Sequence, residues 1–129
     1  SWNLSESPNY AQTVDMLEKA FKQISDGTNL ILHSDQGWQY QMYDYQRRLK
    51  EKGIRQSMSR KGNCLDNSVM ENFFGLLKSE LLYLQEFESV EHFKKELIEY
   101  LSWYNEKRIK VKLKGLTPLQ FRNQSLKSA

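Results

Sequence analysis

Apolar residues recur along this chain with two periods, and the changes of period mark its elements. Tyr10, Val14, Leu17, Phe21 and Ile24 repeat at helical spacing after Ser7-Pro8, an N-cap and first-turn proline, and stop at Asp26-Gly27. This predicts a first helix of about four turns. Asn29 to His33 is rich in branched apolar residues and too short for a helix, so it reads as a buried strand. After a turn at Gln36-Gly37-Trp38, Met42, Tyr45 and Leu49 mark a short helix ended by Gly53, and Ile54 to Met58 predicts a second strand. Residues 59–66 form a polar, glycine-containing loop. From Asn67 the helical period returns, with Met70, Phe73, Phe74, Leu77, Leu81 and Leu84 expected in the core. Asn67, Glu71, Gly75 and Lys78 share another face, since helix positions four and seven apart fall within about 40°. Another amphipathic helix starts near Ser89 and carries Val90, Phe93, Leu97, Leu101 and Tyr104. In Thr117-Pro118-Leu119-Gln120, a threonine cap, a first-turn proline and a capping-box glutamine open a short last helix.

With 129 residues, 39% of them hydrophobic, the chain can bury one core but hardly two, so residues 1–129 are expected to form one unit. No apolar run approaches the roughly 20 residues that cross a bilayer, and the first residues lack a signal peptide's basic and apolar regions. With its single cysteine, Cys64, the chain is expected in a reducing cytoplasm, without a membrane partner. Cys64, His33 and His92 offer no zinc-ligand spacing. The net charge of +3 hides an asymmetry, because residues 107–129 hold 7 Lys and Arg and no acidic residue, while residues 1–106 are net acidic. A basic terminal segment on an acidic body points to a polyanionic partner, although it also reads as a solvated tail.

The candidate chemistry lies in two carboxylates. Asp35 closes the first strand and Glu71 opens a helix, with 35 residues between them, so a strand end and a helix start could present both to one metal. Hard divalent cations prefer such oxygens, and two ions about 3.5–4 Å apart would serve an in-line attack on a phosphodiester. Such sites normally use three carboxylates, and nothing before Asp35 suits as the first. Each residue also has a structural reading: Ser-Asp-Gln-Gly is ordinary turn chemistry, and Ser68 to Glu71 has capping-box spacing.

Nearly the whole chain resembles the catalytic core of bacterial insertion-sequence transposases, the integrase-like group related to retroviral integrases. The residues that carry the resemblance are His33-Ser34-Asp35-Gln36-Gly37, Ser57 to Asn63, Asp66 to Phe74, Leu77-Lys78-Ser79-Glu80, Tyr104-Asn105 and Leu116-Thr117-Pro118. The family pattern is three acidic residues, the last two 35 residues apart, with Lys or Arg seven after the glutamate. Asp35, Glu71 and Lys78 correspond to its later part. The resemblance implies an α/β, ribonuclease H-like fold, Mg²⁺ or Mn²⁺ at a two-metal site, strand cleavage by water and strand transfer by a DNA 3′-hydroxyl. It also implies DNA contact by Lys78, Arg60, Lys61 and the Lys107, Arg108, Lys110, Lys112 and Lys114 cluster, with Asn63, Asp66 and Asn67 shaping the loop.

The departure is the first aspartate, which in the family precedes the helix that begins here near Ser7. The expectation is a core truncated at its N-terminus, retaining about two strands and four to five helices, with Ser1 to Leu4 the remnant of another strand. Such a fragment should bind metal weakly or not at all and be inactive alone. Its partners should be transposon ends and target DNA. An exposed strand edge ending at Asp35 would favour a homo-oligomer. The other readings are a structure-specific nuclease on the same fold and a non-catalytic DNA-binding or assembly module.

Overall fold

The first helix, α1 (Tyr10–Phe21), starts later than the serine cue suggests, because Asn9 is its N-cap and accepts the Gln12 N–H at 2.8 Å. The computed structural model describes residues 1–7, 9–61 and 64–127, with Cys64 and Leu65 described by backbone alone; the expected role of Pro8 lies outside them. Ser1 to Leu4 form no strand. Instead the Ser1 hydroxyl donates to the Met16 carbonyl at 2.8 Å, and the Gln12 side chain donates to the Asn3 carbonyl at 3.4 Å.

The strand β1 (Ile31–Ser34) pairs in parallel with β2 (Arg55–Met58), Ile31 opposite Arg55 and Ser34 opposite Met58. A parallel pair needs a long crossover, and α2 (Trp38–Gln41) and α3 (Tyr43–Glu51) supply it. β1 begins two residues later than expected because Asn29 takes a left-handed conformation, φ 52°. Nor is it a buried strand: Ile31 is 57% exposed, since the sheet has two strands among the described residues. At the end of α3, Gly53 has φ 74°, and its N–H and that of Ile54 bond back to Lys50 and Leu49, closing the helix and launching β2.

α4 (Ser68–Leu77) follows a 3₁₀ turn at Cys64–Asn67 and runs into a wider π-helical turn at Lys78–Leu82. Then come α5 (Val90–Glu106) and α6 (Pro118–Lys127), giving six α-helices among the described residues. The expected Thr117 capping box forms, and Ser89, near which a helix was expected to start, is that helix's cap. Ser89 accepts the His92 N–H, while Thr117 and Gln120 exchange reciprocal side-chain to backbone bonds of 3.0 and 3.2 Å.

The chain divides into two units, Ser1–Asn72 and Phe73–Ala129, each with its own apolar cluster. In the first, Leu17, Tyr45, Leu49 and Ile54 are buried, with Tyr10, Phe21, Ile24, Leu32 and Tyr40 packed around them. In the second, Leu77, Leu81, Leu97, Tyr100 and Tyr104 are buried against Phe73, Leu76, Phe87, Phe93 and Leu101. Met70, Phe74, Leu84 and Val90 were expected in the core but stand exposed. For Phe74 the reason is angular, since it stands about 100° round the helix from Phe73; Met70 lies on the same line as Leu77 but in the first turn of α4, and is not among the residues of the cluster that Leu77 joins.

Candidate functional site

Asp35 follows β1 directly and is exposed, with its Oδ1 accepting the Gly37 N–H at 2.8 Å. The turn reading of this residue is therefore realised, and the same bond orients the carboxylate. A Cβ at Gly37 would sit 3.0 Å from that oxygen and 2.8 Å from the Gln39 side-chain oxygen, so a larger residue would have to displace these two side chains. The charge of Asp35 is felt locally: the Tyr40 hydroxyl titrates above its ordinary range, first through burial and then through Asp35.

His33 braces the same strand end. Its Nδ1 lies 3.0 Å from the Ser57 hydroxyl on β2 and its Nε2 lies 3.3 Å from that of Ser59. The Ser59 carbonyl accepts the Gln36 side-chain amide at 2.9 Å. Both ring nitrogens of His33 are thus engaged by hydroxyls of the neighbouring segment.

Glu71 lies in the first turn of α4 and is exposed. Ser68, its expected capping partner, is already inside the helix, so the capping box does not form. Among the described residues no side chain hydrogen-bonds or ion-pairs with Glu71. Lys78 opens the π-helical turn and is exposed.

Arg60 and Asp66 are joined across the intervening loop. Asp66 accepts the Arg60 backbone N–H at 3.0 Å and two guanidinium bonds of 3.0 and 3.1 Å. Lys61 is exposed, Asn67 ends the 3₁₀ turn half-buried, and Asn63 lies outside the described residues. The Arg60 contacts, side chain first and backbone second, hold the Asp66 carboxyl down to about 2. The folded value is depressed, so the stability this pair contributes is present above the unfolded carboxylate value and is lost as pH falls through about 2. Carboxyl NMR should show Asp66 titrating low, and Arg60→Ala should return it toward the ordinary aspartate range. An unchanged titration would separate the shift from Arg60.

In the basic segment, the cations do not all face solvent. Arg108 donates to Glu80 at 2.5 Å and lies 5.5 and 5.7 Å from the Trp103 and Tyr104 ring centroids, while the Tyr100 hydroxyl donates to the same carboxylate at 2.8 Å. Lys110 donates to the Tyr104 hydroxyl at 2.6 Å. Burial and the Glu80 bond push the Tyr100 hydroxyl well above its usual range. Lys107, Lys112 and Lys114 are exposed. Sequence reasoning gave Glu80 no role, because a helix glutamate carries no signal until a partner 28 residues away is placed beside it.

The donor set suits a hard divalent cation in kind, because Asp35 and Glu71 are carboxylates without a cationic partner among the described residues. It does not suit one in number, since no group of three or more His, Cys, Asp or Glu side chains that could hold a metal occurs among them. Nor is any helix there long and apolar enough to cross a membrane.

Comparison with known proteins gives a consistent result along the chain. One model described as an integrase core domain matches residues 1–64, and another with that description matches residues 71–126. A putative transposase for insertion sequence element IS150 of Escherichia coli is 55% identical over 125 residues, covering 97% of this chain and 44% of that protein. A transposase-like protein of Haemophilus influenzae is 53% identical over 126 residues, covering 98% and 58%. The chain therefore spans about half the length of these curated relatives. Among solved structures, the catalytic core domain of BIV integrase superposes with a TM-score of 0.70 at 23% identity, covering 95% of this chain and 77% of that one. This likeness gives the fold as that of the retroviral integrase core.

Proposed function

Since this chain belongs to the integrase core family, we propose that it is part of the catalytic core of an insertion-sequence transposase, a polynucleotidyl transferase that cuts and joins DNA strands. The observation that carries this reading is the pair Asp35 and Glu71, exposed at a strand end and a helix start with 35 residues between them, and free of competing cations among the described residues. Asp35 and Glu71 would hold Mg²⁺ or Mn²⁺, which when bound supplies Lewis-acid polarisation and an activated oxygen. The chain's own contribution is positional. Gly37 fixes one oxygen of Asp35, leaving the other to accept, and His33 ties the strand end to β2. Lys78 and the exposed lysines of the terminal segment would neutralise phosphates, giving salt-dependent binding of low sequence specificity.

Two carboxylates are fewer than the chemistry requires, so this chain alone is expected to bind the ion weakly or not at all and to be inactive. That shortfall favours a second description of the isolated chain, a DNA-binding or assembly module. The test compares nicking and strand transfer by this chain and by a form extended upstream to include a further acidic strand, each with Mg²⁺ and with Mn²⁺. Activity in the extended form alone supports the proposal. Activity in neither form, with DNA binding retained, supports the module.

A further inference from the structure

The segment after α5 has its polarity turned inside out. Arg108 and Lys110 point inward, to Glu80 and to the Tyr104 hydroxyl, while Ile109 between them and Val111 after them are 69% and 93% exposed. This is the alternation of an extended backbone, and Lys110 has φ −123° and ψ 123°. Ordinary folding would bury the aliphatic residues and expose the cations.

The exposure is not that of a loose loop. An antiparallel bridge joins Lys110 to Leu116, and the backbone N–H groups of Leu113, Lys114, Gly115 and Leu116 all bond within the turn, at 2.9 to 3.2 Å. Lys114 and Gly115 take left-handed conformations, φ 58° and 75°, that make so tight a closure possible. The Arg108 ion pair and the Thr117 cap anchor the two ends. The fold therefore holds two aliphatic side chains in water on a fixed support, flanked by the exposed Lys107, Lys112 and Lys114, in a stretch without acidic residues.

We infer that this turn enters the minor groove of duplex DNA, with Ile109 and Val111 against the sugar walls and Lys107, Lys112 and Lys114 on the phosphates at its rims. The inference rests on the DNA reading above and adds the mode of contact. The observations favour this occupant for two reasons. The N–H groups of Lys110, Leu113, Lys114, Gly115 and Leu116 bond within the turn, and no amide or hydroxyl side chain occurs from Lys107 to Gly115, so what the turn presents is an aliphatic tip with lysines at its edges rather than the amide and hydroxyl groups that read bases in the major groove. Apolar contact with flanking charge is what the minor groove accepts. A symmetric contact between two copies would instead bring the same lysines face to face.

The test titrates this chain with a short duplex of arbitrary sequence over a range of salt concentrations. The variants are Ile109→Ser with Val111→Ser, and Lys112→Gln with Lys114→Gln, both confined to exposed side chains and checked for unchanged folding by circular dichroism. The serine pair should weaken binding roughly tenfold, as expected for losing buried aliphatic area, with the salt slope unchanged. The glutamine pair should flatten the slope by about 1.8, and a minor-groove-filling dye should compete with the unaltered chain. Failure of the unaltered chain to bind at about 50 mM salt would remove the DNA reading itself. Binding by the serine pair as tight as the original, or no competition by the dye, would overturn the groove inference and leave the DNA reading standing. So would a serine effect confined to self-association or to adhesion on anionic vesicles.

Discussion

Glu71→Gln, placed in a form of the protein extended upstream to include a further acidic strand, is expected to lower strand transfer by about 10²- to 10³-fold, the scale on which mutagenesis usually reports the loss of a single charge-stabilising group. The substitution keeps the side chain's size and removes its charge. Because Glu71 is exposed and has no partner among the described residues, stability should change by less than about 0.5 kcal/mol. DNA affinity should likewise stay within a few-fold, since a carboxylate repels phosphate. Asp35→Asn should behave in parallel, and it is the cleaner control: the amide oxygen can still accept the Gly37 N–H, so the turn survives while the charge is lost. Nicking and joining of labelled ends, read beside thermal unfolding, checks both. Retained activity in either variant would remove that residue from the site. Lost activity with lost folding would leave its role open, and the exposure of both makes that outcome unexpected.

The second large effect is on stability. Leu49→Ala should cost about 3 kcal/mol, within the range of about 2 to 5 for deleting a buried leucine. Leu49 is only 1% exposed and packs with Leu17, Tyr45 and Ile54, so there is little freedom for the site to collapse around the gap. In a small unit this is a large part of the total stability. Ile31→Ser is the matched control. Ile31 is of similar size but 57% exposed, and its replacement should cost well under half as much. Hydrogen exchange of the α1 and α3 amides distinguishes the two, because it reports this unit alone. Equal protection in the two variants would show that the cluster around Leu49 does not hold these helices.

Local chemistry explains which features could be read ahead of the structure. The two strands, the helix start near Ser89 and the Thr117 to Gln120 capping box depend on residues adjacent in sequence, and all were legible. The two carboxylates were visible as positions, and the structure adds how each is held: Asp35 by a glycine turn, and Glu71, among the described residues, by its helix alone. Long-range partners left no such signal. The ties of His33 to Ser57 and Ser59, and of Glu80 to Tyr100 and Arg108, join segments more than 19 residues apart, and nothing in periodicity announces them. Helical spacing also placed too many residues inside. Met70 and Phe74 fit an apolar stripe, but only Phe73 and Leu77 join the buried cluster: Phe74 stands off their line, and Met70 lies in the helix's first turn, outside the residues that cluster packs. The inward turn of Arg108 and Lys110 runs against the usual rule for charges and was read as an outward basic cluster.

The π-helical turn at Lys78–Leu82, where the Tyr83 N–H reaches back five residues to the Lys78 carbonyl at 2.9 Å, sets a limit on how this region can change in length. A turn of this kind carries one residue more than an α-helical turn. Deleting a residue just before Glu80 would restore regular helix and swing the side chains around it by about 100°. The carboxylate would then leave Tyr100 and Arg108, and the inside-out segment would lose its anchor. Substitutions at its exposed positions carry no such consequence, whereas Glu80 and the buried Leu81 are tied to the packing. Over evolutionary time, the region should therefore vary in residue identity while holding its residue count.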